Sequence, residues 1–164
     1  MADRTWPSDW NARRAGMGCE MCATSTVSAF PWGTRYYEGD HADAYLMHQP
    51  VQLGTTVVIF RPRHVADPID LSPAEIVGFW SDIRVVTNAI EDVFHPCQMN
   101  YALFGNAIPH LHAHLITRYP DDPAPGRPLP DAAFDAALEL SVVELDEQLQ
   151  LLRIAIARGG PDRD

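Results

Sequence analysis

Residues 109–120, PHLHAHLITRYP, set His110, His112 and His114 in strict alternation with Leu111, Ala113 and Leu115. Period-two alternation is the signature of a β-strand whose apolar face can sit on a core, so the three imidazoles leave the sheet together on the other face. This limits the fold first, because the strand needs a sheet to sit in and a core beneath it. It limits the chemistry next. An imidazole titrates near ~6.5 and serves as nucleophile, acid, base or metal ligand according to what its second nitrogen touches.

Three readings of the trio stand at this point: a histidine nucleophile for phosphoryl chemistry, a metal site, and a polar cluster on a solvated strand face. Positions i, i+2 and i+4 of a flat strand spread over about 13 Å, so all three cannot ligate one ion. One of them can, with partners from elsewhere. Cys19 and Cys22 carry the two-residue spacing that brings two thiolates to one tetrahedral ion, and two further ligands are then required. The candidates are His64, which follows the apolar run 55–60 in Arg61-Pro62-Arg63-His64-Val65, and His110. A redox or structural disulfide and a pair of buried thiols remain open for the same cysteines. Cys97 reads as an ordinary buried residue before a strand.

Upstream, 100–110 reads as a strand, a tight turn at Gly105-Asn106 and re-entry into the histidine strand. With these residues in view, the run 42–119 resembles the histidine triad (HIT) superfamily of nucleotide hydrolases and transferases. His110-Leu111-His112-Ala113-His114-Leu115-Ile116 matches its His-x-His-x-His signature, and Arg61-Pro62-Arg63-His64-Val65 matches the basic turn and histidine that follow an earlier strand. The resemblance implies that His112 attacks the α-phosphorus of a nucleotide to form a covalent nucleotidyl-histidine, with one ring nitrogen held by the carbonyl of His110. It implies that His114 binds phosphoryl oxygens and that the Asn100 and Asn106 amides contact phosphate. Branches of the family carry a structural zinc, here assigned to Cys19, Cys22, His64 and His110, and members are commonly homodimers. The chain departs from the family pattern in a 100–110 segment one residue shorter, in asparagine at 106, and in His48 where many members place an acid that grips ribose hydroxyls. His48 is a ribose contact through a ring nitrogen or an ordinary surface histidine.

Short strands are predicted near 27–30, 34–38, 42–48, 55–60, 98–104 and 111–117, an antiparallel meander in an α+β fold. Ser72-Pro73-Ala74-Glu75 is a capping box with proline in the first turn, and Ile76, Phe79, Trp80, Ile83, Val86, Ile90 and Phe94 follow at helical spacing. A long C-terminal helix is predicted over 131–158, with Leu138, Val142, Leu145, Leu149, Leu152 and Ile156 forming a seam that packs on the chain's own sheet or across a dimer. The expected organisation is one domain: an N-terminal segment 1–41 with the cysteine pair, a core 42–120, and a proline-rich loop with the last helix, 121–164. The loop 121–130 is a rigid connector or lines a phosphate entrance.

A formal charge of −10 argues against a nucleic-acid polymer as partner, since backbone affinity comes from clustered Lys and Arg. It leaves room for a small phosphate ligand if Arg61, Arg63 and Arg118 add a local positive field, although arginines at strand ends are commonly just solvated. No apolar run reaches membrane-span length, the first residues lack a signal-peptide core, and three cysteines in 164 residues do not make a disulfide scaffold; a cytoplasmic address is expected. The expected activity is hydrolysis or transfer at the α-phosphate of a nucleoside phosphate, of the dinucleoside polyphosphate or phosphoramidate type. The alternatives are a nucleotidyltransferase or phosphorylase with another acceptor, and a zinc-stabilised nucleotide- or partner-binding module with little turnover.

Overall fold

The structure, a computed structural model, describes residues 5–22 and 27–159. Its centre is β4 (Thr56–Phe60), buried at every position. Antiparallel neighbours extend from it on one side as β3 (Ala42–Met47), β2 (Gly33–Glu38) and β1 (Ala29–Phe30). On the other side lie β6 (His112–Arg118) and then the edge strand β5 (Gln98–Ala102). The first four strands run as the expected meander. Helix α2 (Pro73–Phe94) then carries the chain to the far edge, and β6 returns between β5 and β4. The histidine strand therefore lies inside the sheet, paired on both sides.

The register explains the alternation. Val58 opposes Ala113 and Thr56 opposes Leu115, and Val58, Ala113 and Leu115 share one core with Phe79, Ile83, Val86 and Ile90 of α2. On the opposite face Ile59 lies beside His112 and Val57 beside His114. There a second, smaller core of Tyr45, Val57 and Ile59 is covered by Met21, Phe30, Trp32 and Ile108. Both faces of β4 are thus sealed, which is why its five residues read as a continuous apolar run.

Helix α2 starts as its sequence dictates, with Ser72 accepting from the Glu75 amide and Glu75 accepting from the Ser72 amide. Its buried Asp82 accepts from the His41 and Ala42 amides, both at 2.8 Å, and from the Tyr37 hydroxyl at 2.7 Å. That fixes the β2–β3 turn to the helix. A Cβ at Gly39 would meet the Asp82 carboxyl at 2.5 Å, so only glycine fits the turn.

The C-terminal helix is not continuous. A short helix α1 (Trp10–Arg14) opens the described chain, and after β6 there are two separate helices, α3 (Asp131–Asp135) and α4 (Val142–Ala157). The break has a local cause: Ser141 and Glu144 form a second capping box that starts α4 afresh. In addition, the Leu138 amide donates to the Pro50 carbonyl at 2.9 Å instead of to a helix. The seam narrows accordingly. Leu149, Leu152 and Ala155 join the main core, and Val142 is 85% exposed. Cys97 is also exposed, its thiol donating to the Arg118 carbonyl at 3.2 Å.

Leu152→Ala should cost about 2–5 kcal/mol in urea unfolding, the range for emptying a fully buried leucine site. Val142→Ala should stay within about 0.5 kcal/mol; equal losses would restore the seam.

Candidate active site

The three histidines share a face and differ in what holds them. The His112 Nδ1 lies 2.6 Å from the His110 carbonyl. A carbonyl only accepts, so Nδ1 carries the proton and donates, leaving the lone pair on Nε2. The His110 ring is turned the other way round: Nε2 donates to the Phe60 carbonyl at 2.7 Å, which leaves the lone pair on Nδ1. The His114 ring packs 5.0 Å from that of His112 and 5.6 Å from that of Phe104.

Burial keeps all three neutral. It lowers the His112 and His110 pKa values despite the hydrogen bonds that each makes. His114 is pushed down to about 4 by burial, with His112 adding repulsion. A neutral imidazole with a free Nε2 is the form that attacks an electrophile.

The His110 lone pair faces the cysteine pair. Its Nδ1 lies 3.4 Å from Cys19 Sγ and 3.6 Å from Cys22 Sγ, and the His64 Nδ1 lies 3.3 Å from Cys22 Sγ. All four ligand atoms fall within 4.8 Å of one another. A tetrahedral ion at ~2.3 Å from sulfur and ~2.05 Å from nitrogen needs S···N edges of about 3.6 Å, which these three contacts match, so the donor set fits a metal. Both imidazoles donate their remaining N–H to a backbone carbonyl, His110 to Phe60 and His64 to Arg14 at 3.0 Å, the outer support that ligating histidines use. Cys19 and Cys22 are free thiols rather than a disulfide. Burial and the Cys19 sulfur push the Cys22 pKa up to about 11; a dication reverses that by holding both sulfurs as thiolates.

Two cavities flank the triad. One, of 270 Å³, is lined by His112 together with Trp6, Trp10 and Arg14. The other, of 390 Å³, is lined by His114 with Met47, Val51, Ile116, Asp131 and Phe134. Phe104 and Asn106 line both, following a turn in which Gly105 takes φ +62°. Asn106 therefore borders both the cavity of His112 and that of His114.

Asn100 stands on the same sheet face but further along, opposite Ile116, and its Oδ1 accepts from Arg118 at 2.6 Å. Arg118 is not a solvated strand end. It is buried, with a bidentate pair to Asp122 at 2.6 and 3.0 Å and further bonds to the Arg127 and Ala124 carbonyls at 2.9 and 2.8 Å. It thereby organises the loop after β6, and that loop walls an 890 Å³ groove over Asn100. Arg61 is paired with Asp43 and Glu38, and Arg63 with Glu75, so none of these three arginines lends a free charge. Arg14, at the end of α1, lines the cavity of His112, and its guanidinium has no partner among the described residues.

His48 is likewise committed: Nε2 lies 2.9 Å from the Thr34 hydroxyl, and Nδ1 donates to the Pro31 carbonyl at 3.1 Å. It does not line the cavity beside His114, which Met47 and Gln49 on either side of it do. Alternation turns position 48 away. Trp6, Trp10, Arg14, Asp131 and Phe134 carry no motif, and only the tertiary structure brings them to the triad.

The sequence model of the HIT domain matches residues 33–121, more than half of the chain, and the chain belongs to that family. A bis(5′-nucleosyl)-tetraphosphatase (asymmetrical) of Schizosaccharomyces pombe is 31% identical over 97 residues, 56% of this chain and 53% of that enzyme. The chain thus spans about half the length of this curated relative. A zinc-bound histidine triad family protein from Mycobacterium smegmatis is similar in structure, at 25% identity and TM-score 0.63 over 87% of this chain and 95% of that one. A histidine triad protein from Bradyrhizobium japonicum superposes with TM-score 0.66 at 21% identity, over 76% of this chain and 90% of that one. No described helix is long and apolar enough to cross a membrane.

Elemental analysis of the purified protein should find one tetrahedral dication per chain. Cys22→Ser should lose it and melt at lower temperature, since metal binding is linked to folding, whereas His112→Asn should keep both metal and fold. Metal loss in His112→Asn would place the ion at the wrong histidine.

Proposed function

We propose that the chain is a nucleotide hydrolase or transferase acting at the α-phosphate of a nucleoside phosphate, with His112 as nucleophile. The observation that carries this is the 2.6 Å bond from His112 Nδ1 to the His110 carbonyl, which leaves Nε2 unprotonated and aimed off the sheet. In the first step Nε2 bonds to phosphorus, the bond to the leaving group breaks, and the leaving group departs with the electron pair and takes up a proton. The resulting nucleotidyl-histidine bears a positive imidazole, which the His110 carbonyl stabilises through the Nδ1 proton. In the second step water bonds to phosphorus and gives a proton to solvent, replacing the one that the leaving group took from it. The P–N bond breaks with its electron pair returning to Nε2, and the nucleoside monophosphate leaves with His112 neutral again.

His114, neutral at physiological pH, donates a ring N–H to a phosphoryl oxygen, and Asn106 donates from its amide across the same space. Dinucleoside polyphosphates and phosphoramidates both suit this site, and the relative from S. pombe supports the first. Asn100 acts through Arg118 on the loop that walls the outer groove.

We assign the metal as zinc, on the mixed sulfur and nitrogen donor set and on the likeness to the zinc-bound mycobacterial protein. Four protein ligands leave no open position, so zinc supplies a structural cross-link. Homodimer formation is proposed from the family resemblance; Val77 and Trp80 on α2 and Tyr101 on the edge strand are exposed and support it.

The test is intact mass after rapid quenching without acid, with adenosine and guanosine phosphoramidates and dinucleoside polyphosphates. Wild type should gain the mass of one nucleoside monophosphate and release it, and His112→Ala should do neither. Binding without adduct or product across the panel would leave a nucleotide-binding module.

The pH profile follows from burial. With the His112 pKa held below its usual value, the unprotonated nucleophile persists below pH ~6.5. A plot of log kcat/KM should stay flat on lowering pH through that value and fall only at more acid pH. An acid limb at or above pH ~6.5 would assign the titration to another group.

A further inference from the structure

Most of the segment that joins β6 to α4 lies beyond the HIT match, which ends at residue 121. It is fixed at two points. At its start Arg118 ties Asp122, Ala124 and Arg127 to the sheet, and at its end the Leu138 amide holds the Pro50 carbonyl. Between these anchors α3 brings Asp131 and Phe134 to the 390 Å³ cavity beside His114. That volume lies within the range of small-ligand sites.

The chemistry of the lining narrows what it takes. Met47, Val51 and Ile116 offer apolar surface, and the Phe134 ring is 45% exposed. Asp131 brings the one carboxylate of the lining and has no partner among the described residues. A carboxylate repels phosphate and accepts hydrogen bonds from hydroxyls, and a vicinal diol offers it two. Across the shared wall of Phe104 and Asn106, Arg14, whose guanidinium has no partner among the described residues, lines the cavity of His112. Charge therefore sorts a substrate lying over the triad: the uncharged nucleoside towards Asp131, the anionic leaving side towards Arg14. His48, with both ring nitrogens bonded, takes no part.

We infer that Asp131 and Phe134 form the ribonucleoside subsite of the His112 centre, the carboxylate accepting from the ribose 2′ and 3′ hydroxyls and the ring stacking on the base. This rests on the reading of His112 as a nucleotide-directed nucleophile. It adds residues that lie outside the family match.

The test is calorimetric titration with AMP, 2′-deoxy-AMP, 3′-deoxy-AMP and ribose 5-phosphate, on wild type, Asp131→Asn and Phe134→Ala, beside the adduct assay. Wild type should prefer AMP to either deoxy analogue by about 10-fold, the scale of one hydrogen bond to a charged group. Asp131→Asn should bring that ratio close to one. Phe134→Ala should weaken AMP by about 10-fold with ribose 5-phosphate little changed, as loss of base stacking requires. A ribose preference that survives in Asp131→Asn, equal wild-type affinity for all three nucleotides, or no AMP binding overturns the subsite. An Asp131-dependent preference without any His112 adduct upholds the subsite and removes the catalytic reading; an adduct with an Asp131-independent preference does the reverse.

Discussion

Residue 110 is the point on which the site turns, because three constraints meet in it. Its ring is pinned to the Phe60 carbonyl, the free nitrogen of that ring completes the cysteine and histidine cluster, and its own carbonyl holds the proton of His112. The ring is 1% exposed, so no water competes for these bonds. The tautomer of His112 is thus set by a backbone atom whose position the central strand and the cysteine and histidine cluster both fix. Displacing His110 would disturb cluster, strand and the His112 ring together.

Electrostatics at the site comes from desolvation more than from charge. The chain is acidic overall, and its best-placed arginines are spent on structure, at Asp43, Glu75 and Asp122. What the triad gains is exclusion of water from three imidazoles in a row, each of which would charge less readily because of it. In such surroundings a neutral N–H directed at a negative charge counts for more than in water, and no counterion is needed to keep the His112 ring neutral.

The parts legible in the sequence are those governed by local periodicity. Alternation at 110–115 reveals the strand and its histidine face, Ser72 and Glu75 reveal the start of α2, and the spacing of Cys19 and Cys22 anticipates that both thiols meet in one cluster. Where a long-range contact overrides a local pattern, the reading fails. Residues 131–158 look like one helix because nothing in the spacing reports that the Leu138 amide is taken by Pro50. Arg118 looks solvated because the carbonyls that satisfy it belong to a loop whose path the sequence does not specify. Position 48 reads locally as either a ribose contact or an ordinary surface histidine, and the Thr34 and Pro31 partners that take both of its ring nitrogens lie outside any local pattern.

The residues that reach the triad from outside the sheet are held differently from those within it. Neither α1 nor α3 has a buried residue, so each is attached by polar bonds: α1 through the Arg14 carbonyl to His64, and α3 through Arg118 and Leu138. Segments held by few apolar contacts open at a lower free energy than the core that carries them. The bond that holds the His112 proton thus belongs to the sheet, whereas the walls of the two cavities belong in part to segments anchored at a few polar points. The bond from His64 also joins α1 to the cysteine and histidine cluster: His64, whose Nδ1 lies 3.3 Å from Cys22 Sγ, donates from Nε2 to the Arg14 carbonyl, and Trp10 and Arg14 line the cavity of His112. An ion held in that cluster would thereby bear on how the cavity beside His112 is walled.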